Sequence, residues 1–194
     1  MTPEREARMK EVAKGRQSGF ILVLDGIHDP HNAAAIMRTC DAFGVQEVWL
    51  VFEEGKSFNP RQLGKVSSSS ANRWLTFRKF KTSEECFEAL RQEKYFIVAT
   101  ALADRGANPY ITDLTQEKIA LVVGNEHRGI SPVFLEGADM LLTIPMQGFV
   151  ESLNVSVASA LCIAEIARQR NIGGEKTLPP IDAELLVVEW SKEK

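Results

Sequence analysis

The 194-residue chain predicts an α/β protein, a mostly parallel sheet with helices on both faces. Two observations carry that prediction. Several short segments are almost continuously apolar, as strands covered on both faces must be. They alternate with segments whose apolar residues recur at helical spacing. No internal repeat interrupts the alternation.

Thr2-Pro3-Glu4 is a cap-like start, and it opens an amphipathic helix over 3–17. Phe20 to Leu24 is an apolar run between Gly19 and Asp25-Gly26, read as a buried strand. Ala33, Ile36, Met37 and Cys40 are helically spaced within 32–43, with Asn32 read as the cap and Gly44 as the stop. Glu47 to Phe52 reads as a strand, and 53–72 as a loop containing Gly55, Asn59-Pro60 and the serine run 67–70. A strand follows around Trp74 to Phe77, then a helix over 83–91 and a strand over 95–100. Ile119 to Val123 is a strand that stops at Gly124. A short helix over 131–137, a strand over 140–144 and a long helix over 154–170 complete the pattern. The expected division is an N-terminal helical extension at 1–19, one domain at 20–172 and a short C-terminal tail at 173–194. The tail holds Pro179-Pro180 and a short apolar stretch, and is expected to pack on a neighbour.

A composition 44% apolar and 25% charged is that of a soluble globular protein. No apolar run reaches the ~18 residues of a membrane span. The charged N-terminus lacks the apolar core of a signal peptide, so a cytoplasmic location with no membrane partner is expected. Cys40, Cys86 and Cys162 are too scattered for a disulfide framework or a zinc site and read as small buried hydrophobes. His28, His31 and His127 lack metal spacing, so no metal is expected.

A net charge of −3 speaks, as an average, against a nucleic-acid binder. The distribution says more. Residues 1–20 carry five basic against three acidic side chains, and residues 53–81 seven against two. The acidic total is therefore compatible with one basic face built from those two segments. A charge run by itself is usually only a solvated face.

In parallel sheets ligands sit beyond the carboxyl ends of the strands. The loops to watch are 25–32, 100–109, 124–131 and 145–154, and the unusual residues cluster there. The first motif is Asn32, five intervening residues and Arg38. The second is an apolar strand running into Gly124-Asn125-Glu126 and Gly129. It is neither a Walker loop nor a dinucleotide fingerprint, but its free backbone N–H groups suit the polar edge of a ligand. The third is Ile144-Pro145-Met146, then Ser152-Leu153-Asn154-Val155-Ser156 and Ala158. Ser152 is not in a hydrolase nucleophile elbow.

Together, in this order and spacing, the three motifs resemble the SpoU/TrmH branch of the SPOUT superfamily of RNA ribose 2′-O-methyltransferases. The resemblance covers residues 18–172. It implies an α/β sheet with a deep C-terminal trefoil knot, an exception to the no-knot rule. It implies S-adenosylmethionine as cofactor, held by the positions of Thr100, Ala101, Leu102, Val123, Gly124, Asn125, Glu126, Gly129, Ile144, Met146, Ser152 and Leu153. It implies methyl transfer to a ribose 2′-hydroxyl, with Arg38 central and Asn32, Glu126, Ser152 and Asn154 orienting it and the substrate. A guanidinium keeps its proton in neutral water. Arg38 either loses that proton with help from an RNA phosphate or stays cationic and stabilises the developing alkoxide. A homodimer with active sites near the interface is also implied.

The N-terminal helix makes the chain most similar to members that methylate the D-loop guanosine at position 18 of tRNA. Arg8, Arg16, Lys56, Arg61, Lys65 and Arg73 are the expected RNA contacts. An rRNA or wobble-position 2′-O-methyltransferase is the alternative, and a catalytically silent RNA-binding module a weaker one. The acidic tail departs from the basic extensions of many tRNA members.

Overall fold

The structure, a computed structural model, describes residues 2–52, 58–62, 70–102, 106–125, 128–172 and 176–192. Its six strands are β1 (Phe20–Asp25), β2 (Glu47–Val51), β3 (Thr76–Phe80), β4 (Phe96–Thr100), β5 (Ile119–Gly124) and β6 (Met140–Leu142). They form one sheet in the order β3-β2-β1-β5-β4-β6, and every pairing is parallel. The helices are α1 (Pro3–Lys14), α2 (Pro30–Ala42), α3 (Ser83–Gln92), α4 (Pro132–Gly137), α5 (Val155–Ile172) and α6 (Pro180–Lys192). The α/β class read from the sequence is the one found. No helix among the described residues is long and apolar enough to cross a membrane.

The central strands β1 and β5 are buried along their whole length. A strand points successive side chains to opposite faces, so each central strand feeds two cores. Leu22, Leu24, Leu121 and Val123 pack with Ile36, Met37 and Cys40 of α2 and Cys162, Ile163 and Ile166 of α5. Ile21, Val23, Ala120 and Val122 pack on the other face with Cys86 and Leu90 of α3 and Phe134 of α4. All three cysteines are buried and free, as the sequence suggested. Burial disfavours their thiolates and pushes Cys162 up to about 12.

Asp29, not Asn32, caps α2: its Oδ1 accepts the His31 N–H at 2.8 Å, and Pro30 takes the first helical position. Asn32 therefore lies inside the first turn.

At its far end α5 carries Arg170, which is fully buried. Its guanidinium donates to the side-chain oxygen of Gln17 at 3.2 Å and to the carbonyls of Ser18 and Gln116. These groups lie just before β1 and β5, so Arg170 ties the end of α5 to the starts of both central strands.

The C-terminal segment is more than a tail. Gln17 bridges Thr177, and α6 then packs on α1 through Ala183, Leu186, Val187 and Trp190 against Met9 and Ala13. The same packing corrects the reading of Arg16. It is 1% exposed, pairs with Asp41 at 2.5 Å and lies 5.3 Å from the Trp190 ring centre. Arg16 is a core residue, and its charge is spent inside the protein.

Replacing Arg170 by Met would strand several buried carbonyls. A loss of about 2–4 kcal/mol is expected. Thermal unfolding should fall by roughly 5–15 °C for a chain of this size. A melt within a degree or two of the parent would remove Arg170 from the account.

Candidate active site

The turn after β5 is built around two glycines that are required for different reasons. A Cβ at position 124 would stand 2.3 Å from the Gly129 carbonyl carbon and the Ile130 nitrogen. Gly129 has φ +71°, which favours glycine. The turn closes on itself: the Asn125 N–H donates to the Gly129 carbonyl at 2.8 Å, and the Gly129 N–H returns to the Asn125 carbonyl at 2.9 Å. The buried Asn125 side chain donates from Nδ2 to the Gly26 carbonyl at 2.8 Å and accepts the Arg128 N–H on Oδ1 at 3.1 Å. Asp25, the last residue of β1, accepts from Ser83 Oγ at 2.6 Å and from the Ser131 N–H at 2.7 Å. The end of β1 thus grips both sides of the turn. Glu126, which the family pattern singles out, lies outside the described residues.

The next strand ends gather beside this turn. Thr100 Oγ1 donates to the Val122 carbonyl at 3.3 Å, and the Ala101 N–H to the Leu142 carbonyl at 3.0 Å. Thr143 Oγ1 donates to the Ala101 carbonyl at 2.9 Å. The last two bonds set Ala101 against 142–143. Leu102 is 71% exposed, and Ile144, Met146 and Leu153 are half-buried. The amides of Leu102, Met146 and Leu153 donate to no acceptor among the described residues. Half-covered apolar side chains beside free amides suit a flat ligand with a hydrogen-bonding edge.

The third loop ends at Asn154, which caps α5. Its Oδ1 accepts the Ser156 N–H at 2.8 Å and Ser156 Oγ at 2.6 Å. Its Nδ2 donates to Asn32 Oδ1 at 3.2 Å. That bond joins the first motif to the third across 122 residues of sequence. Ser152, two residues before, is exposed.

Arg38 is exposed on α2 and makes no hydrogen bond or ion pair among the described residues. His31 lies seven residues earlier and is exposed on the same helical face. Two basic groups that the motifs did not single out also border the site. Arg128 is exposed, with Nη2 3.7 Å from where a Gly26 Cβ would sit. His28 Nδ1 lies 3.4 Å from Asn125 Nδ2. Their only sequence signal was a place in or next to a motif, at positions the pattern leaves open.

The expected RNA contacts are dispersed. Arg8 is exposed and paired with Glu11 at 2.8 Å. Arg61 is exposed and Arg73 half-buried, both on short 3-10 turns at Pro60–Gln62 and Ser70–Arg73. Arg16 is unavailable, and Lys56 and Lys65 lie outside the described residues.

A model of the SpoU rRNA Methylase family matches residues 19–164, which contain all three motifs. The chain belongs to that family. A SpoU relative from Thermus thermophilus, a tRNA (guanosine(18)-2′-O)-methyltransferase, is 36% identical and covers 97% of this chain and 96% of its own. The crystal structure of the Aquifex aeolicus TrmH/SpoU tRNA modifying enzyme superposes with a TM-score of 0.84 at 31% identity, covering 98% of this chain and 96% of that one. The SpoU methyltransferase AviRb from Streptomyces viridochromogenes, solved with the cofactor AdoMet, has a TM-score of 0.68 at 25% identity, covering 82% and 60%.

Gly124→Ala forces apart the SpoU turn that the Asn125 side chain ties to the residue after β1. It is expected to weaken S-adenosylmethionine binding at least tenfold in calorimetry, a loss of roughly 1.4 kcal/mol. Unchanged affinity would mean that the turn does not form the cofactor site.

Proposed function

We propose that the chain is an S-adenosylmethionine-dependent tRNA (guanosine-18) ribose 2′-O-methyltransferase. The observation that carries this reading is the convergence of the motifs. Asn154 bonds Asn32, Asn125 bonds the end of β1, and the free guanidinium of Arg38 rises from the same helix as Asn32. The near full-length match to an enzyme of that name supports the tRNA target.

The residues present fit the cofactor. The amides of Leu102, Met146 and Leu153, which have no acceptor among the described residues, and the apolar sides of Leu102, Ile144 and Leu153 suit an adenine bound by its edge. A Cβ at Gly124 would collide with Gly129 and Ile130 and displace the turn at the end of the neighbouring strand β5. Bound there, S-adenosylmethionine supplies an electrophilic methyl group. The chain's own work is to bring a ribose 2′-hydroxyl into line and stabilise the charge it develops on losing its proton. Arg38 does this with a planar set of N–H donors that can face an oxyanion and a phosphate together. The Asn32–Asn154 bond ties the first turn of its helix α2 to the start of α5. Glu126 and Ser152 are assigned to orienting the substrate. A C-terminal trefoil threading is part of this proposal, and the return of α5 from β6 at the sheet edge to pack on α2 is compatible with it.

A homodimer completes the reading. Val157 and Leu161 are exposed one turn apart on α5, and Phe149 and Val150 are exposed in the loop before it. An apolar patch of this kind marks an interaction surface. It adjoins Asn154, so a second copy there would lie close to Arg38. Leu161→Glu is expected to give monomers in native mass measurement, and an unchanged mass distribution would remove α5 from the interface.

The function itself is tested by incubating the protein with labelled S-adenosylmethionine and separated tRNA and rRNA. Label is expected in tRNA. Arg38→Ala should lower transfer by about 10²–10³-fold with cofactor binding retained. Label only in rRNA would move the target, and label in neither would favour a silent RNA-binding module.

A further inference from the structure

Helix α6 poses a question that the methyl-transfer chemistry leaves open. It carries Asp182, Glu184 and Glu189 against the single cation Lys192. An acidic helix repels phosphate, so a direct RNA contact does not explain it. Its buried face does.

Trp190 is 3% exposed, and its Nε1–H donates to the Trp74 carbonyl at 3.0 Å. The two indole rings meet edge to face with centroids 5.7 Å apart. Trp74 closes the 3-10 turn Ser70–Arg73 through its own N–H, which donates to the Ala71 carbonyl at 3.0 Å. That turn packs against α2, the helix of Arg38. Within it the buried Asn72 donates from Nδ2 to the Pro60 carbonyl at 2.7 Å, which fixes the second 3-10 turn and with it Arg61. A continuous line of contacts therefore runs from α6 through Trp74 to the two turns that carry Arg61 and Arg73. Arg16 braces the start of that line from beside the Trp190 ring, and Arg5 lies 5.9 Å from the Trp74 ring centre.

We propose that Trp190 is a positioning residue for RNA capture: it sets from behind the two described turns of one segment, 60–62 and 70–73, so that Arg61 and Arg73 meet the RNA backbone preorganised. This rests on the RNA-methyltransferase reading above. Preorganised side chains bind without losing their rotamer freedom at the moment of contact. Loosening the segment should therefore weaken RNA binding while the cofactor loops and Arg38 stay as they are.

The test is steady-state methyl transfer by the full-length protein to an unmodified tRNA transcript. For Trp190→Leu, KM for tRNA is expected to rise about tenfold, as two side chains lose their positioning. The kcat and the Kd for S-adenosylmethionine should change by less than about twofold. Combined with Arg61→Ala, the two effects on KM should be far from additive, because both act through the same contact. The inference is overturned by an unchanged KM, by a fall in kcat with KM constant, or by additive effects in the double variant. If the leucine variant does not fold, Trp190→Phe keeps a ring against Trp74 but loses the N–H donor. It enters the same cycle with the same two readings. A parent protein that transfers no methyl to tRNA would refute the functional reading itself. Active parent protein with additive variants would refute only the role of Trp190.

Discussion

Helix α5 is pinned at both ends, and the rest of the molecule is arranged around that constraint. Asn154 caps its first turn and bonds Asn32 of α2. Arg170, near its last turn, is buried among groups that precede β1 and β5. Eighteen residues of helix span about 27 Å, longer than the roughly 20 Å of the six-residue central strands. A rigid strut of that length transmits its seating at one end to its placement at the other. The Asn32 contact, and with it the relation of the Arg38 helix to the third loop, depends on where Arg170 fixes the helix behind the sheet. A buried cation with uncharged partners is an expensive way to hold a helix. It is consistent with a position that must be held closely.

The sheet was legible because strands covered on both faces must be apolar at every residue, and β1 and β5 are. The glycines of the second motif were legible for a similar reason, since only glycine serves at 124 and 129. The readings that failed turned on partners far away in sequence. Arg16 looked like part of a basic helix face, yet its partners Asp41 and Trp190 are 25 and 174 residues away. The Asn32–Asn154 bond has no local signature at all. The cap of α2 and the existence of α6 were missed for a different reason: both helices begin at a proline, which does not fit an apolar helical spacing. Pro30 and Pro180 are first helical residues, where a missing N–H costs nothing. The spacing of Ala183, Leu186, Val187 and Trp190 was the signal for α6.

The burial of Arg16 also changes the meaning of the charge. Part of the N-terminal surplus is spent internally, and α6 adds acid beside it. Among the described residues, exposed basic side chains beyond the N-terminal helix include Arg61, Lys79 and Lys81 within 53–81, and His31, Arg38 and Arg128. On the proposed reading, such a surface holds RNA by a few phosphate contacts, with moderate, salt-dependent affinity. On the same reading, specificity comes from the site itself, where a hydroxyl has to meet both the Arg38 guanidinium and a methyl donor.

That requirement makes one substrate atom decisive. A tRNA transcript carrying 2′-deoxyguanosine at position 18 keeps every base and phosphate but lacks the acceptor oxygen. With labelled S-adenosylmethionine, the account predicts that the normal transcript is methylated and that the deoxy transcript binds comparably but takes up no label. Undiminished labelling of the deoxy transcript would contradict it, because the methyl group would then be going to another atom.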